Sequence, residues 1–128
     1  MARYWVSGTI STELGPATAS VAVSLLGTTI TSGRTLWLTG VVLPTTTGIV
    51  KEVVNFYDGA SGVIAATASD LKKLQLQCPN ASDALGSPLG QVREFPMPGL
   101  KFSTGCVVMH ESTEFIYLGD LSGMGYEV

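Results

Sequence analysis

A catalytic or metal centre in this chain would have to be built from one histidine, His110, two cysteines, Cys78 and Cys106, and ten acidic residues. Nucleophilic catalysis needs a hydroxyl or thiol beside a base that a third group orients. Hydroxyls are spread throughout the sequence and none is singled out, so His110, followed by Glu111, reads as a strand-end residue at a turn. One histidine and two distant cysteines do not supply the four ligands of a zinc site. Asp58-Gly59 lacks the aspartate series of an EF-hand, and Asp70, Asp83 and Asp120 stand apart and read as turn formers. Glu52 with Glu94 is the carboxylate pair weighed for glycoside hydrolysis, a role that depends on closeness in space. Neither a P-loop nor a dinucleotide fingerprint occurs, and Asn80-Ala81-Ser82 is a glycosylation pattern without a secretory route. The expectation is a protein that is not an enzyme, with no cofactor and no metal.

The composition points the same way. Charged residues make up 13% of the 128-residue chain and hydrophobic ones 45%, where soluble proteins average about 25% charged. A surface of Ser, Thr, Gly and Ala is poorly defended against association, which hints at assembly. The net charge of -3, with basic residues scattered apart from Lys72-Lys73, argues against nucleic acid. No segment approaches the roughly 18 apolar residues of a membrane span, and the N-terminal stretch lacks the apolar run of a secretory signal. Synthesis in a cytoplasm is therefore expected, which favours packed free thiols over a bridge between Cys78 and Cys106.

Alternation and β-branched residues dominate, and helical periodicity is nearly absent. Strands are expected at Tyr4–Ile10, 20–26, 34–43, 49–57, 63–67, 74–77, 91–95, Leu100–Phe102, Cys106–His110 and 114–118. Gly40 interrupts the alternation of the third and suggests a bulge. Asp58-Gly59-Ala60-Ser61-Gly62 reads as a tight turn, and 79–90 as a long loop. The Pro-Gly corner before Leu100 is expected to feed a β-hairpin through Ser103-Thr104-Gly105. About eight to ten short strands at near-regular spacing fit one all-β domain over residues 1–118, a two-sheet β-sandwich of jelly-roll type. Residues 119–128 carry three glycines and no period, and are expected to be a flexible C-terminal tail or an arm that orders on a neighbour.

Three stretches carry a family resemblance: Gly33-Arg34-Thr35-Leu36-Trp37-Leu38-Thr39-Gly40-Val41, Lys51-Glu52-Val53-Val54-Asn55-Phe56-Tyr57-Asp58-Gly59-Ala60-Ser61-Gly62, and Pro98-Gly99-Leu100-Lys101-Phe102-Ser103-Thr104-Gly105-Cys106-Val107-Val108, closed by Phe115-Ile116-Tyr117. Over residues 33–118 the chain resembles small jelly-roll-like virion proteins of tailed bacteriophages, used as capsid decoration (cement) or minor structural proteins. The resemblance implies a homo-oligomer, commonly a trimer, on the outside of the capsid at symmetry axes, with the major capsid protein as partner. It implies a location on the virion surface after synthesis in the bacterial host cytoplasm.

Most of the aromatics fall in alternating strands and read as core. Arg3, Tyr4 and Trp5 are the candidate interface residues: two adjacent aromatics point to opposite faces of a strand, so one must find cover outside the sheet. The competing readings are a tail, head-fibre or spike component of the virion, and a carbohydrate-binding module.

Overall fold

The computed structural model describes residues 2–14, 23–26, 30–44, 53–59, 72–78, 91–110 and 120–128. The expected strands at 63–67 and 114–118, the loop at 79–90, and Glu52 lie outside them. Nine strands are described: β1 (Tyr4–Ile10), β2 (Val23–Ser24), β3 (Leu36–Leu43), β4 (Val53–Asp58), β5 (Lys72–Gln77), β6 (Gln91–Glu94), β7 (Leu100–Phe102), β8 (Cys106–His110) and β9 (Leu121–Glu127). All their pairings are antiparallel.

The first sheet runs β1-β9-β3-β6, with β7 also on β3, and the second runs β2-β8-β4-β5. β6 and β7 pair with the same strand β3 at different heights, so they act as two halves of one edge strand. Counted that way, the first sheet orders its strands first, eighth, third, sixth and the second sheet second, seventh, fourth, fifth. That is the strand order of a jelly roll. Successive strands alternate between sheets except at β4 and β5, and the two inner faces bury each other.

Alternation decides what lies between the sheets. Ile10, Leu36, Leu38, Val41, Leu43 and Leu121 from the first sheet meet Val54, Phe56, Cys106 and Val108 from the second, with Phe102 and Leu25 filling the space. The register of β3 against β9 shifts between Leu38 and Gly40, so Leu38 and Val41, three positions apart, both face the core. Gly40 stands at the bulge that interrupts the facing pattern.

Two expectations need correction. Residues 121–127 are not a flexible tail: β9 is an inner strand, paired along its length with β1 and over most of it with β3. Gly123 and Gly125 hid it by leaving gaps in its core-facing row, and at Gly123 the space a side chain would take is filled by Leu25, whose Cδ2 lies 2.7 Å from the position of a Cβ. The stretch after the Pro-Gly corner is not a hairpin either, because β7 pairs with β3 while β8 pairs with β4 and β2. Ser103-Thr104-Gly105 carries the chain from one sheet to the other.

Asp58, at the end of β4, anchors that crossing. Its carboxylate accepts the backbone N–H groups of Ser103, at 3.1 and 3.0 Å, of Thr104 at 2.8 Å and of Gly105 at 3.3 Å, and Gly59 N–H donates to Gly105 C=O at 3.0 Å. Three successive N–H groups converging on one anion form a nest. The aspartate thus holds the two sheets in register at this corner, in addition to ending its own strand.

Candidate functional site

Of the side chains weighed for chemistry, the histidine and both cysteines are withdrawn from solvent. His110 ends β8 fully buried, on the face it shares with Cys106 and Val108. Cys78 and Cys106 are both buried and unbridged. Burial, and secondarily the charge of Asp58, push the Cys106 thiol far up, so its nucleophilic thiolate form is suppressed. Glu94 is exposed on β6. Among the described residues no three His, Cys, Asp or Glu side chains are grouped to hold a metal ion, and no helix is long and apolar enough to cross a membrane.

A different kind of site lies on the outer face of the first sheet. The residues that alternate away from the core are Trp5 on β1, Ser122 and Met124 on β9, Val42 on β3, and Val92 and Glu94 on β6; Met97 and Phe95, the latter also packed against the core, follow β6. The bulge in β3 brings Thr39 onto Met124, its hydroxyl donating to the Met124 carbonyl at 3.1 Å. The residues surround a concavity of about 460 Å³. Six large apolar side chains are exposed among the described residues, Tyr4, Trp5, Val42, Val92, Met97 and Met124, and all but Tyr4 line this concavity. Singly scattered exposed hydrophobics are ordinary; a contiguous set marks an interaction surface.

The second sheet contrasts with the first. Its inner strands β4 and β8 are buried on both faces: Val54, Phe56 and Val108 belong to the main core, while Tyr57, Val107 and Met109 form a second apolar cluster on the other side. Among the described residues the exposed apolar surface is therefore concentrated on the first sheet.

Tyr126 supports the concavity at the β1 end. It is 2% exposed, its hydroxyl donates to the Pro98 carbonyl at 2.9 Å, and the Trp5 ring packs on it at 5.2 Å between centroids, tilted by 57°. The Arg3 guanidinium lies 5.1 Å from the centre of the same ring. Trp5, which is 61% exposed, is thereby held in place with most of its surface still facing water. The Met97–Pro98 peptide is cis, and Gly99 N–H donates to Pro96 C=O at 2.9 Å. This turn sets Met97 at the rim.

The three candidate interface residues separate as strand alternation requires. Trp5 lines the concavity and Arg3 flanks Tyr126. Tyr4 takes the opposite face, under the Arg34 guanidinium at 3.7 Å from its ring centre. Arg34 also pairs with Glu127 at 3.5 Å, and Glu127 accepts the Thr31 N–H at 3.0 Å. Burial raises the Glu127 carboxyl, but the Thr31 and Arg34 hydrogen bonds and the Arg34 charge outweigh it and hold it below the ordinary value. This ionic cluster fixes the end of β9 and leaves Tyr4 outside the apolar face.

Sequence reasoning reached Trp5 and missed Val42, Val92, Met97 and Met124. The available signal was β3, where Val41 and Val42 make both faces apolar; in an antiparallel sheet that means a face covered by something else. Compared with known proteins, the chain matches no family model, and no curated protein or solved structure is significantly similar to it.

Proposed function

We propose that this protein is a structural component of a tailed-bacteriophage virion, a decoration protein that docks on the outside of the capsid and stabilises it by bridging coat subunits. The observation that carries the reading is the gathering of Trp5, Val42, Val92, Met97 and Met124 around one concavity on one sheet. A sandwich whose exposed large apolar side chains, among the described residues, gather on one sheet is suited to docking. Its buried His110 and suppressed Cys106 offer no accessible nucleophile or base at that face. The resemblance over residues 33–118 and the low charge of the chain favour a shell of coat subunits as the surface that is covered.

The physics of docking is burial. Each apolar Å² removed from water contributes about 25 cal/mol, and Trp5 held upright by Tyr126 loses little freedom when it is covered. Methionines at the rim adapt to an uneven partner. The same modest contact repeated over a symmetric shell gives avidity that no single site supplies.

The test is to add purified protein to expanded, undecorated capsids. Saturable binding with a gain in thermal stability supports the reading, and absence of both sinks it. Copy number separates decoration from a tail, fibre or spike component: a decoration protein occupies the shell stoichiometrically, whereas a tail component is present in few copies.

The exposed Trp5 ring, in a concavity that Ser122 and Glu94 also line, favours one second reading, carbohydrate binding, in which a sugar ring stacks on the indole. It predicts glycan affinity that Trp5→Ala removes without affecting capsid binding by the native protein.

A further inference from the structure

The first sheet begins at β1, whose second edge pairs with no strand among the described residues. β1 is seven residues long, and its pairing with β9 is continuous from Tyr4 to Ile10 without a bulge. Such an edge presents a flat row of backbone N–H and C=O groups. It templates strand addition unless charge, proline, a bulge or shortness defends it.

Among the described residues the edges at β5, β6 and β7 are defended. β6 has four residues and includes Arg93 and Glu94. β7 has three and includes Lys101, and β5 carries Lys72 and Lys73 and shifts register against β4. β1, Tyr-Trp-Val-Ser-Gly-Thr-Ile, has neither a charge nor a proline.

We propose that two copies of this chain join by antiparallel pairing of their β1 strands, about a two-fold axis that is perpendicular to the sheet and passes near Ser7 and Gly8. The two first sheets then become one continuous sheet. A second copy is the fitting occupant for three reasons. An antiparallel pair about a two-fold is self-complementary, since each copy presents the edge the other needs. Antiparallel pairing brings the exposed Arg3, just before one strand, toward the exposed Glu13 that follows the other, so opposite charges meet at both ends. Ser7 and Thr9 at the middle of the seam are exposed hydroxyl residues, and Thr9 already makes a cross-strand hydroxyl pair with Ser122 at 3.0 Å on its other side.

This arrangement differs from the trimer that the family resemblance implies. A ring of three would need β1 to pair with a different edge of its neighbour, and the edges at β5, β6 and β7 carry charges. Because the two-fold is normal to the sheet, both concavities open toward the same side. Under the docking reading above, on which this last point rests, the dimer grips the shell at two places at once; the strand pairing itself does not depend on that reading.

Sedimentation velocity over a micromolar to millimolar concentration series, with scattering mass as a check, tests the pairing. The native protein is expected at twice the chain mass. Ser7→Lys and, independently, Thr9→Lys place like charges at the seam on exposed positions and are expected to give monomers with unchanged melting temperature. Ser7→Cys is expected to form a disulfide-linked dimer under mild oxidation, the native thiols being buried. A native monomer, a native trimer, or a dimer that persists in both lysine variants with no Ser7→Cys cross-link overturns the proposal. Capsid binding is read separately. A native dimer that ignores capsids defeats the docking reading alone, and a monomer that binds them defeats the pairing alone.

Discussion

The carboxylate of Asp58 accepts the backbone N–H of Ser103 on both of its oxygens, at 3.1 and 3.0 Å, and so ties the end of a strand in one sheet to the corner through which the chain enters from the other. Thr104 and Gly105 add their N–H groups to the same carboxylate. Hydrogen bonds to a charged acceptor are about twice as strong as neutral ones, and the Gly59–Gly105 backbone bond adds to them at the same corner.

Asp58→Ala is therefore expected to lower the unfolding free energy by about 1.5–3 kcal/mol, the range for hydrogen bonds to a charged group. Asp58→Asn, which keeps one carbonyl acceptor and turns an amide donor toward N–H groups, is expected to recover only part of it. Urea unfolding measures both; a loss below about 0.5 kcal/mol in the alanine variant, the scatter of ordinary surface substitutions, contradicts the anchoring role.

Glu127 predicts a pH dependence. Its carboxyl is held below the ordinary value of 4.5 in the folded protein, so the unfolded state takes up a proton first as pH falls. Stability from this group is complete above the ordinary carboxylate range and is lost as pH drops through the lowered folded value. Glu127→Gln is expected to be less stable than the native protein at neutral pH and to show a shallower decline between pH values near neutrality and about 3. Parallel acid slopes in urea titrations of the two proteins would contradict this.

At Gly8 the two sheets meet edge-on. A Cβ there would run into the carbonyl oxygen of Leu25 and press on the backbone of Leu26, so the collision is with main chain that has no rotamer to change. Gly8→Ala is expected to cost about 3 kcal/mol, against little change for Ser7→Ala on the exposed face of the same strand. Thermal melts of the two variants check the contrast, and equal melting temperatures would contradict the close approach.

Much of this architecture was legible in the residues, and the failures have physical causes. Alternation set the limits of β1, β7 and β8 at Tyr4–Ile10, Leu100–Phe102 and Cys106–His110, because a strand with one buried face writes its period into the sequence. β9 was illegible because Gly123 and Gly125 stand where core side chains would be: Leu25, remote in the chain, fills the space at Gly123, and the backbone of Trp37 and Leu38 closes against Gly125. The corner at Ser103-Thr104-Gly105 looked like a hairpin because turn residues report a change of direction and not the sheet to which the next strand belongs. Asp58 was recognised as a turn former, yet its principal partners are 45 to 47 positions away. The site was legible only at Trp5: Val42, Val92, Met97 and Met124 become a surface when β3, β6 and β9 are placed side by side.

The central claim is that the apolar outer face of the first sheet is what holds this protein to a capsid. The most direct measurement is a co-sedimentation isotherm on expanded, undecorated capsids for the native protein, for Trp5→Ala combined with Met124→Lys, and for Lys73→Ala on the exposed side of β5 as a control. Native protein and control are expected to saturate the shell alike, while the double variant, with unchanged melting temperature, binds at least about tenfold more weakly, as expected when a central aromatic anchor is lost. Capsids that take up no native protein, or that take up the double variant equally well, would contradict the claim.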